Sequence, residues 1–267
     1  MHTSYEYILV GVLIFVTLSA TQLNMVTLVS DRLAHLEQEV TDEVAVEILD
    51  SFLLAPGVPA SWGAGVDPPE VFGLALPNSV KEYTLDPLKV HRLREASDAY
   101  LPPSQVRDLM GLSRSHHFEL RFIALFNVTV HAEAAATYTV TARSYRDVAL
   151  PNVRVTGYYL NLSDYGQVTV SDSVVTDLTG RCQLVFAATP DHALLVRCEF
   201  LGDTVIVTVP DGLPYTVTNG VVFSSYVPPI ENFVYRTASV FGITKGSAVR
   251  NVRVGDRSFR VEFELWS

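Results

Sequence analysis

The chain has 267 residues, a formal net charge of −10 at pH 7 and an isoelectric point near 5.1. This acidic balance, without any cluster of Lys and Arg, argues against binding nucleic acid through its phosphates. With 48% hydrophobic and 18% charged residues, the chain can bury one large core or two small ones.

Near the start lies an uncharged apolar stretch, residues 7–29, with the sequence YILVGVLIFVTLSATQLNMVTLV. About 20 residues rising about 1.5 Å each are enough to cross a hydrocarbon core of about 30 Å. The stretch therefore predicts a transmembrane helix whose partner is the lipid bilayer. Cleavage as a secretory signal is the alternative, but the preceding residues contain no Lys or Arg.

After this stretch, apolar residues recur at the three-to-four spacing of one helical face, without Pro or Gly before Pro56. The spacing predicts a single helix from about Tyr5 to Leu54, in which a helical stalk follows the anchor. Two helices with a kink near Ser30 are the alternative. The residues that set the spacing are Leu33, Leu36, Val40, Val44 and Ile48.

Several features are compatible with an external location for the rest of the chain. Residues 31–50 carry seven acidic side chains against one basic, and Asn127 and Asn161 begin Asn-x-Ser/Thr sequons that are candidate glycosylation sites. We therefore expect a single-pass membrane protein whose C-terminal region is extracellular.

The two cysteines lie in the segment GRCQLVFAATPDHALLVRCEF, which is typical of two strands around a turn. In such a hairpin Cys182 faces Cys198, at a separation close to what a disulfide requires. This pair is a candidate disulfide, which would imply an oxidising compartment. Two buried free thiols are the alternative.

From Ala55 to Leu112 the sequence is punctuated by Pro and Gly, which predicts an ordered, wrapped segment. Asp86 followed by Pro87 predicts a short helix, and Pro103 opens a second one that ends at Gly111. The residues expected to pin the segment to a core are Trp62, Phe72, Leu74 and Leu76.

The motifs LLAPGVPASWG, FGLAL, YTLDPLKVHRL, VRDLMGL and HFELRF occur in an order that resembles a group of archaeal membrane-anchored, pilin-like proteins. The similarity covers roughly residues 7–130. It implies a cell-surface protein with an N-terminal helix and a following Pro/Gly turn, short helix and strand.

The chain departs from true type IV pilins before the apolar helix, because no basic-Gly processing site is present. Glu6 would be the fifth residue if Met1 alone were removed. The resemblance implies that Glu6 is a candidate assembly residue, pairing with the amino terminus of a neighbouring subunit. A carboxylate left among lipid headgroups is the alternative.

From Phe118 onward, short segments rich in Val, Thr, Tyr and Phe alternate with turns about every ten residues, which predicts a β-sandwich. Within it, VVTDLTGRCQLVF resembles the hairpin of carboxypeptidase-regulatory-like and bacterial immunoglobulin-like domains. Asp177, Thr179 and Gly180 favour its turn. Calcium binding through Asp172, Asp177 and Asp203 is the alternative, although calcium requires six to eight oxygen ligands.

The last strands include SFRVEFELW, whose alternation predicts one buried face, after a two-residue turn at Gly255-Asp256. We expect the strand beginning at Phe118 to pair with these strands, with the sandwich inserted between them. The expected domains are the anchor and stalk (1–54), the wrapped segment with the first strand (55–135), the immunoglobulin-like sandwich (136–210) and the C-terminal strands that complete the membrane-proximal sheet (211–267).

Residues typical of catalysis are sparse. His116 and His117 are adjacent on a strand and point to opposite faces, and neither His91 nor His131 has a partner at ligand spacing. No metalloprotease, nucleophile-elbow, phosphate-loop or Cys-x-x-Cys motif is present. We therefore predict no enzyme activity, no cofactor and no metal, although a triad assembled by the fold is an alternative.

The predicted fold class is α+β, with a long N-terminal transmembrane helix and stalk followed by a mainly β head. The predicted function is that of a single-span cell-surface structural or adhesion protein. The head would contact another surface protein, a glycan or a copy of itself, with Tyr158, Tyr159 and Tyr165 as candidate contacts. The alternatives are a pilin-like subunit of an extracellular filament and a sensor or accessory subunit of a membrane complex.

Overall fold

The structure is a computed structural model. It describes residues 3–134, 136–162, 168–170, 173–188, 191–210, 215–218, 221–224, 230–237 and 245–266. Side chains are described for only part of residues 3–40.

Three α-helices and one 3-10 helix occur in the described residues, all before the first long strand. The α-helices are α1 (Thr3–Leu54), α2 (Pro87–His91) and α3 (Pro103–Leu109), and the 3-10 turn is Trp62–Ala64.

Fifteen strands account for most of the remaining regular structure. They are β1 (Thr84–Leu85), β2 (His117–Ala124), β3 (Phe126–Ala134), β4 (Thr137–Ser144), β5 (Arg154–Asn161), β6 (Val168–Val170), β7 (Val174–Val175), β8 (Arg181–Val185), β9 (His192–Phe200), β10 (Asp203–Val209), β11 (Tyr215–Thr218), β12 (Val221–Ser224), β13 (Phe233–Arg236), β14 (Lys245–Val254) and β15 (Arg257–Trp266).

The first module is a five-stranded sheet in the order β1-β14-β15-β2-β13, with the end of α1 packed on one face. Alternate residues of β15 point to that face because side chains alternate along a strand. Phe263, fully buried, contacts Phe52 of α1 and Phe118 of β2, with ring centroids 5.9 and 6.1 Å away. These aromatic contacts join the helix to the sheet.

The helix is also held to β14 by polar contacts. Arg250 donates from Nε and Nη2 to the two carboxylate oxygens of Asp50, at 2.8 and 2.7 Å, and Tyr83 donates to the same carboxylate at 3.0 Å. These hydrogen bonds raise the pKa of Arg250 above its usual range. Arg250 therefore stays charged, and its contact with Asp50 joins α1 to β14.

The second module is a sandwich of two antiparallel sheets between β2 and β13 in the sequence. One sheet has the order β3-β4-β8, and the other has the order β10-β9-β5-β6, with β7 also paired to β5. The inward faces share one hydrophobic cluster that contains Val140, Val155, Leu184 and Val196.

The two modules meet at the start of β15. Arg257 donates to the backbone oxygens of Ile230 and Phe126 and to Oδ1 of Asn127, at 2.9 to 3.2 Å. The next residue, Ser258, donates from Oγ to Asp203 of β10 at 2.6 Å. Hydrogen bonds of Arg257 and Ser258 therefore join the two modules.

The predicted fold class is wrong. The structure is mainly β, because the chain after α1 forms fifteen described strands and only two short α-helices. No helix among the described residues is long and apolar enough to cross a membrane. In residues 15–32 the described side chains mix apolar residues with polar ones such as Thr17, Ser19 and Gln22.

The expected single-pass membrane location, with its extracellular C-terminal region, is corrected together with the transmembrane segment on which it depended. The expected contact of residues 7–29 with the lipid bilayer depended on the same segment and is corrected with it.

The hairpin predicted around the cysteines is also wrong. β8 pairs with β4, whereas β9 pairs with β5 and β10, so Cys182 and Cys198 lie in different sheets of the sandwich. Two adjacent apolar strands suggest a hairpin locally, but here the connection crosses from one sheet to the other.

Candidate functional site

A cleft at the edge of the helix–sheet module brings together several side chains that the structure leaves accessible. Its volume is about 660 Å³, within the range of about 300 to 1,000 Å³ that is usual for ligand sites. One wall is the segment 93–100, and the floor is the edge strand β13 with part of β2. We call it the β13 cleft.

The wall is positioned by α2. Asp86 caps this helix, because its Oδ1 accepts a hydrogen bond from the backbone of Leu88 at 2.9 Å and Pro87 occupies the first helical position. The helix ends at His91 with Arg92 as its C-cap, and residues of the following segment 93–100 line the cleft.

Two buried cations hold the neighbouring loop in place. Lys89 is fully buried and donates to the backbone oxygens of Pro56 and Ala75 at 2.8 and 3.0 Å. Burial lowers the pKa of Lys89, an effect that the nearby carboxylate of Asp86 partly opposes. Such a group is costly to bury unless its donors are used, so Lys89 acts here as a structural brace.

Arg92 has the same role on the other side of the loop. It donates to four backbone oxygens, those of Ala99, Trp62, Asp67 and Val66, at 2.6 to 2.9 Å. Burial lowers the pKa of Arg92. The wall of the β13 cleft is therefore tied rigidly to the loop that begins at residue 55.

The floor of the cleft has a strand edge that no other described strand pairs with. β13 is the last strand of its sheet in the described residues and pairs with β2 alone. Thr237 donates its backbone N–H to the backbone oxygen of Phe118 on β2. Hydrogen-bonded pairs alternate along an antiparallel ladder, so the backbone groups of Tyr235 and Phe233 also face β2. By alternation, the N–H and C=O groups of Val234 and Arg236 face away from the sheet.

A buried carboxylate flanks this edge. Glu119 of β2 is 1% exposed and is contacted by the guanidinium groups of Arg121 and, at 3.7 Å, Arg236. Both arginines are partly exposed. Two cations therefore share one buried anion, and each guanidinium has N–H donors beyond those that one carboxylate can engage.

Two tyrosines close the inner side of the cleft. Tyr235 donates its hydroxyl to the backbone oxygen of Leu101 at 2.7 Å, and its ring packs edge-on against Tyr100 at 6.4 Å. Burial, and for Tyr100 also the charge of Glu95, raises the pKa of both phenols. Both hydroxyls therefore remain protonated at neutral pH.

The predicted site residues lie elsewhere. Cys182 and Cys198 are free thiols in the sandwich core. Burial raises the pKa of Cys182 to about 11 and that of Cys198 further. The side chain of Glu6 lies outside the described residues, so its assembly role stays a prediction.

The two sequons differ in their surroundings. The Oδ1 atom of Asn127 accepts a hydrogen bond from Arg257 at the junction between modules, so a glycan on this residue would have to extend from that junction. Asn161 is half-buried at the end of β5, and Ser163 of its sequon lies outside the described residues.

Two of the three tyrosines proposed as contacts, Tyr158 and Tyr159, are buried rather than on the surface. Tyr158 and Tyr159 are only 5% and 3% exposed. Tyr159 stacks on Phe186 inside the sandwich at 5.0 Å. Tyr165 lies outside the described residues.

The histidines and aspartates that the structure describes do not converge on a metal site. His116 contacts Ser113 at 2.6 Å, and His117 lies 3.5 Å from Thr237. In the part of the chain that the structure describes, no group of three or more His, Cys, Asp or Glu side chains is placed to hold a metal. Asp172 lies outside that part, and Asp203 bonds Ser258.

Asp177 forms the predicted turn. Its Oδ1 accepts hydrogen bonds from the backbone of Thr179 and Arg181 at 2.8 and 3.0 Å and from the Thr179 hydroxyl at 2.7 Å, and Gly180 has φ +73°. These bonds, led by the Thr179 hydroxyl, lower the pKa of Asp177. The interpretation as a turn residue is confirmed.

The sequence did not indicate the β13 cleft. The motif FVYR shows that β13 is a strand, but an edge strand is defined by which neighbours it lacks, and that is a property of the whole sheet. Comparisons with family models, with curated proteins and with solved structures all found no match for this chain. The resemblances to pilin-like proteins and to carboxypeptidase-regulatory-like domains therefore stay predictions.

Proposed function

We propose that this chain is a structural or adhesion protein without catalytic activity, and that it binds an extended segment of another polypeptide in the β13 cleft. The observation that carries the proposal is the open edge of β13 inside a walled cleft. An extended segment can add to such an edge by main-chain hydrogen bonds, while its side chains occupy neighbouring pockets.

The geometry of the cleft suits this mode of binding. The backbone groups of Val234 and Arg236 supply two donors and two acceptors, the pattern that one edge of an antiparallel partner strand requires. The Val234 side chain is 53% exposed. The partly exposed Arg121 and Arg236 can also donate to polar groups of the bound segment.

The wall also favours a preformed site. Segment 93–100 is tied through Arg92 to four backbone oxygens, so little ordering is needed on binding. Preorganisation raises affinity because less conformational entropy is lost in the complex.

A direct test uses Val234→Pro, with Val234→Thr as the matched control. Proline removes the outward N–H, whereas threonine keeps it, and an edge position tolerates proline when its N–H does not bond within the sheet. The probe is a library of random linear peptides displayed on phage, selected on the full chain. We expect selected peptides to bind wild type and Val234→Thr equally, and Val234→Pro at least about tenfold more weakly.

Amide hydrogen exchange provides the second readout. In the free protein we expect the amides of Val234 and Arg236 to exchange much faster than that of Tyr235, and to become protected when the peptide binds. Peptides that bind Val234→Pro as well as wild type, or that protect another surface, would contradict the proposal. Circular dichroism and thermal unfolding establish that both variants fold.

A filament subunit is the second candidate, favoured by exposed apolar side chains on α1. Phe15 and Met25 are 72% and 70% exposed, and Leu18 and Leu28 are also exposed. Packing of α1 against copies of itself would bury them. Sedimentation of Phe15→Ser together with Met25→Ser tests this: loss of high-mass species supports assembly through α1, and unchanged sedimentation contradicts it.

A further inference from the structure

The two cysteines lie in different sheets of the sandwich and pack in the same hydrophobic cluster. The position of β8 over β5 relates one cysteine to the other. Phe186, the residue after β8, stacks on Tyr159 with ring centroids 5.0 Å apart. A Cβ atom on Gly157 would lie 2.9 Å from Cδ1 of Leu184. The same Cβ atom would lie 2.7 Å from Cζ of Phe186. Phe186 therefore lies over both Tyr159 and Gly157, and Leu184 lies over Gly157.

Cys182 lies two residues before Leu184 on β8, just as Leu184 lies two residues before Phe186. Side chains alternate along a strand, and the residues on either side of Leu184, Gln183 and Val185, are exposed, so Cys182 points inward with Leu184. One step further along β5 from Gly157 is Val155. Cys182 is thus placed above Val155.

Val155 is paired in register with Cys198 of β9. Cys198 is fully buried, and Cys182 packs against the same hydrophobic cluster. Burial raises the pKa of Cys198, and the Cys182 thiol adds to this effect.

From this placement we infer that Cys182 and Cys198 form a reversible disulfide that joins the two sheets of the sandwich. The bridge differs from the hairpin disulfide that the sequence suggested, because it ties β8 to β9 across the core. It would close a loop of about 15 residues and restrict the unfolded chain.

The reaction requires a disulfide reagent as oxidant, for example oxidised glutathione. The Cys182 thiolate, on the half-buried side, attacks one sulfur of the reagent and releases one glutathione thiolate. The Cys198 thiolate then attacks Sγ of Cys182 and releases the second. Two electrons pass to the reagent, and the two thiol protons end on the released glutathione.

The rate should depend on pH in a defined way. Burial raises the pKa of Cys182 to about 11, so the thiolate is scarce at pH 7. The thiolate is the nucleophile, and its fraction rises about tenfold for each pH unit below the pKa. We therefore expect bridge formation to be about tenfold faster at pH 8 than at pH 7.

The experiment incubates the full chain with oxidised glutathione and maps the products by mass spectrometry after digestion. We expect a peptide that links Cys182 to Cys198, with the loss of two hydrogen atoms, and a melting temperature raised by about 5 °C or more. Cys198→Ser should instead accumulate glutathione on Cys182. Cys182→Ser should react slowly or not at all.

Two outcomes would overturn the inference. One is wild-type protein that keeps glutathione on Cys182 without forming the link. The other is a cysteine link that occurs only between chains. Thermal unfolding of the reduced single-serine variants shows whether they fold, so a failure to react cannot be confused with a failure to fold.

Discussion

Two charged residues of this protein have a structural role inside the fold rather than a role at the surface. Lys89 and Arg92 are charged, but both are buried and use their donors on backbone oxygens. A buried cation without such partners would cost several kcal/mol. These two residues therefore define the wrapped loop and, through it, the wall of the β13 cleft.

Asp177 supplies a prediction about pH. Its native-state pKa is lowered, chiefly by the Thr179 hydroxyl and also by backbone N–H groups, so its stabilising effect is present above the unfolded-state pKa of about 4. This effect is lost as the pH falls through the lower native-state value. Asp177→Ala should therefore unfold at a lower temperature than wild type at pH 7, by a difference that shrinks below pH 4.

The measurement is thermal unfolding of wild type and Asp177→Ala between pH 7 and pH 2.5. Glu70→Ala, at an exposed carboxyl outside this turn, serves as the control. A difference that stays constant across this range would show that the turn does not depend on the charge of Asp177.

At the scale of elements, the contact between α1 and β14 determines how the helix sits on the sheet. Ala45, Leu49 and Leu53 of α1 are fully buried. Gly246 of β14 lies so close that a Cβ atom there would overlap the backbone oxygen of Thr41. The helix can approach only because this position has no side chain.

Gly246→Ala tests this close approach. The added methyl group meets backbone, which cannot rotate away, so we expect a loss of about 1 to 3 kcal/mol in the free energy of unfolding. Gly65→Ala is the matched control, because its added Cβ would have no neighbour nearer than 4.0 Å. Urea unfolding measures both, and equal stabilities would contradict the packing of α1 on β14.

On the scale of the whole molecule, the sandwich and the helix–sheet module are coupled through hydrogen bonds at the start of β15. Arg257 is central, since it bonds Ile230 and Phe126 through their backbone oxygens and Asn127 through its side chain. Burial lowers the pKa of Arg257 to about 10, so it remains charged at neutral pH. Its Nη1 and Nη2 groups keep these three acceptors only while the modules are docked.

We expect Arg257→Met to uncouple the modules. It would leave buried backbone oxygens unpaired, at a cost of about 1 to 3 kcal/mol for each group, and the junction would open before either core. Calorimetry should show one unfolding transition in wild type and two in the variant. Arg154→Met, at an exposed position in β5, should keep one transition. A single transition in both variants would contradict this coupling.

Some local structure followed directly from short sequence signals. Asp86-Pro87 begins α2, Gly255-Asp256 joins β14 to β15 with Gly255 at φ +61°, and Asp177 caps its turn. These features depend on residues within a few positions of each other, so their chemistry is visible in the sequence. Phe259 is fully buried, as expected from the alternation of apolar and polar residues along β15.

What the tertiary structure decided depends on partners distant in sequence. Apolar flanks suggested that Cys182 and Cys198 share a hairpin, but β8 pairs with β4 and β9 pairs with β5 and β10, so the two cysteines lie in different sheets. The same applies to β13, which becomes the edge strand among the described residues only once β2, β14 and β15 have formed the rest of the sheet. Sequence patterns determine which segments become strands and turns, whereas the edges, clefts and cross-sheet contacts arise only when the whole chain packs.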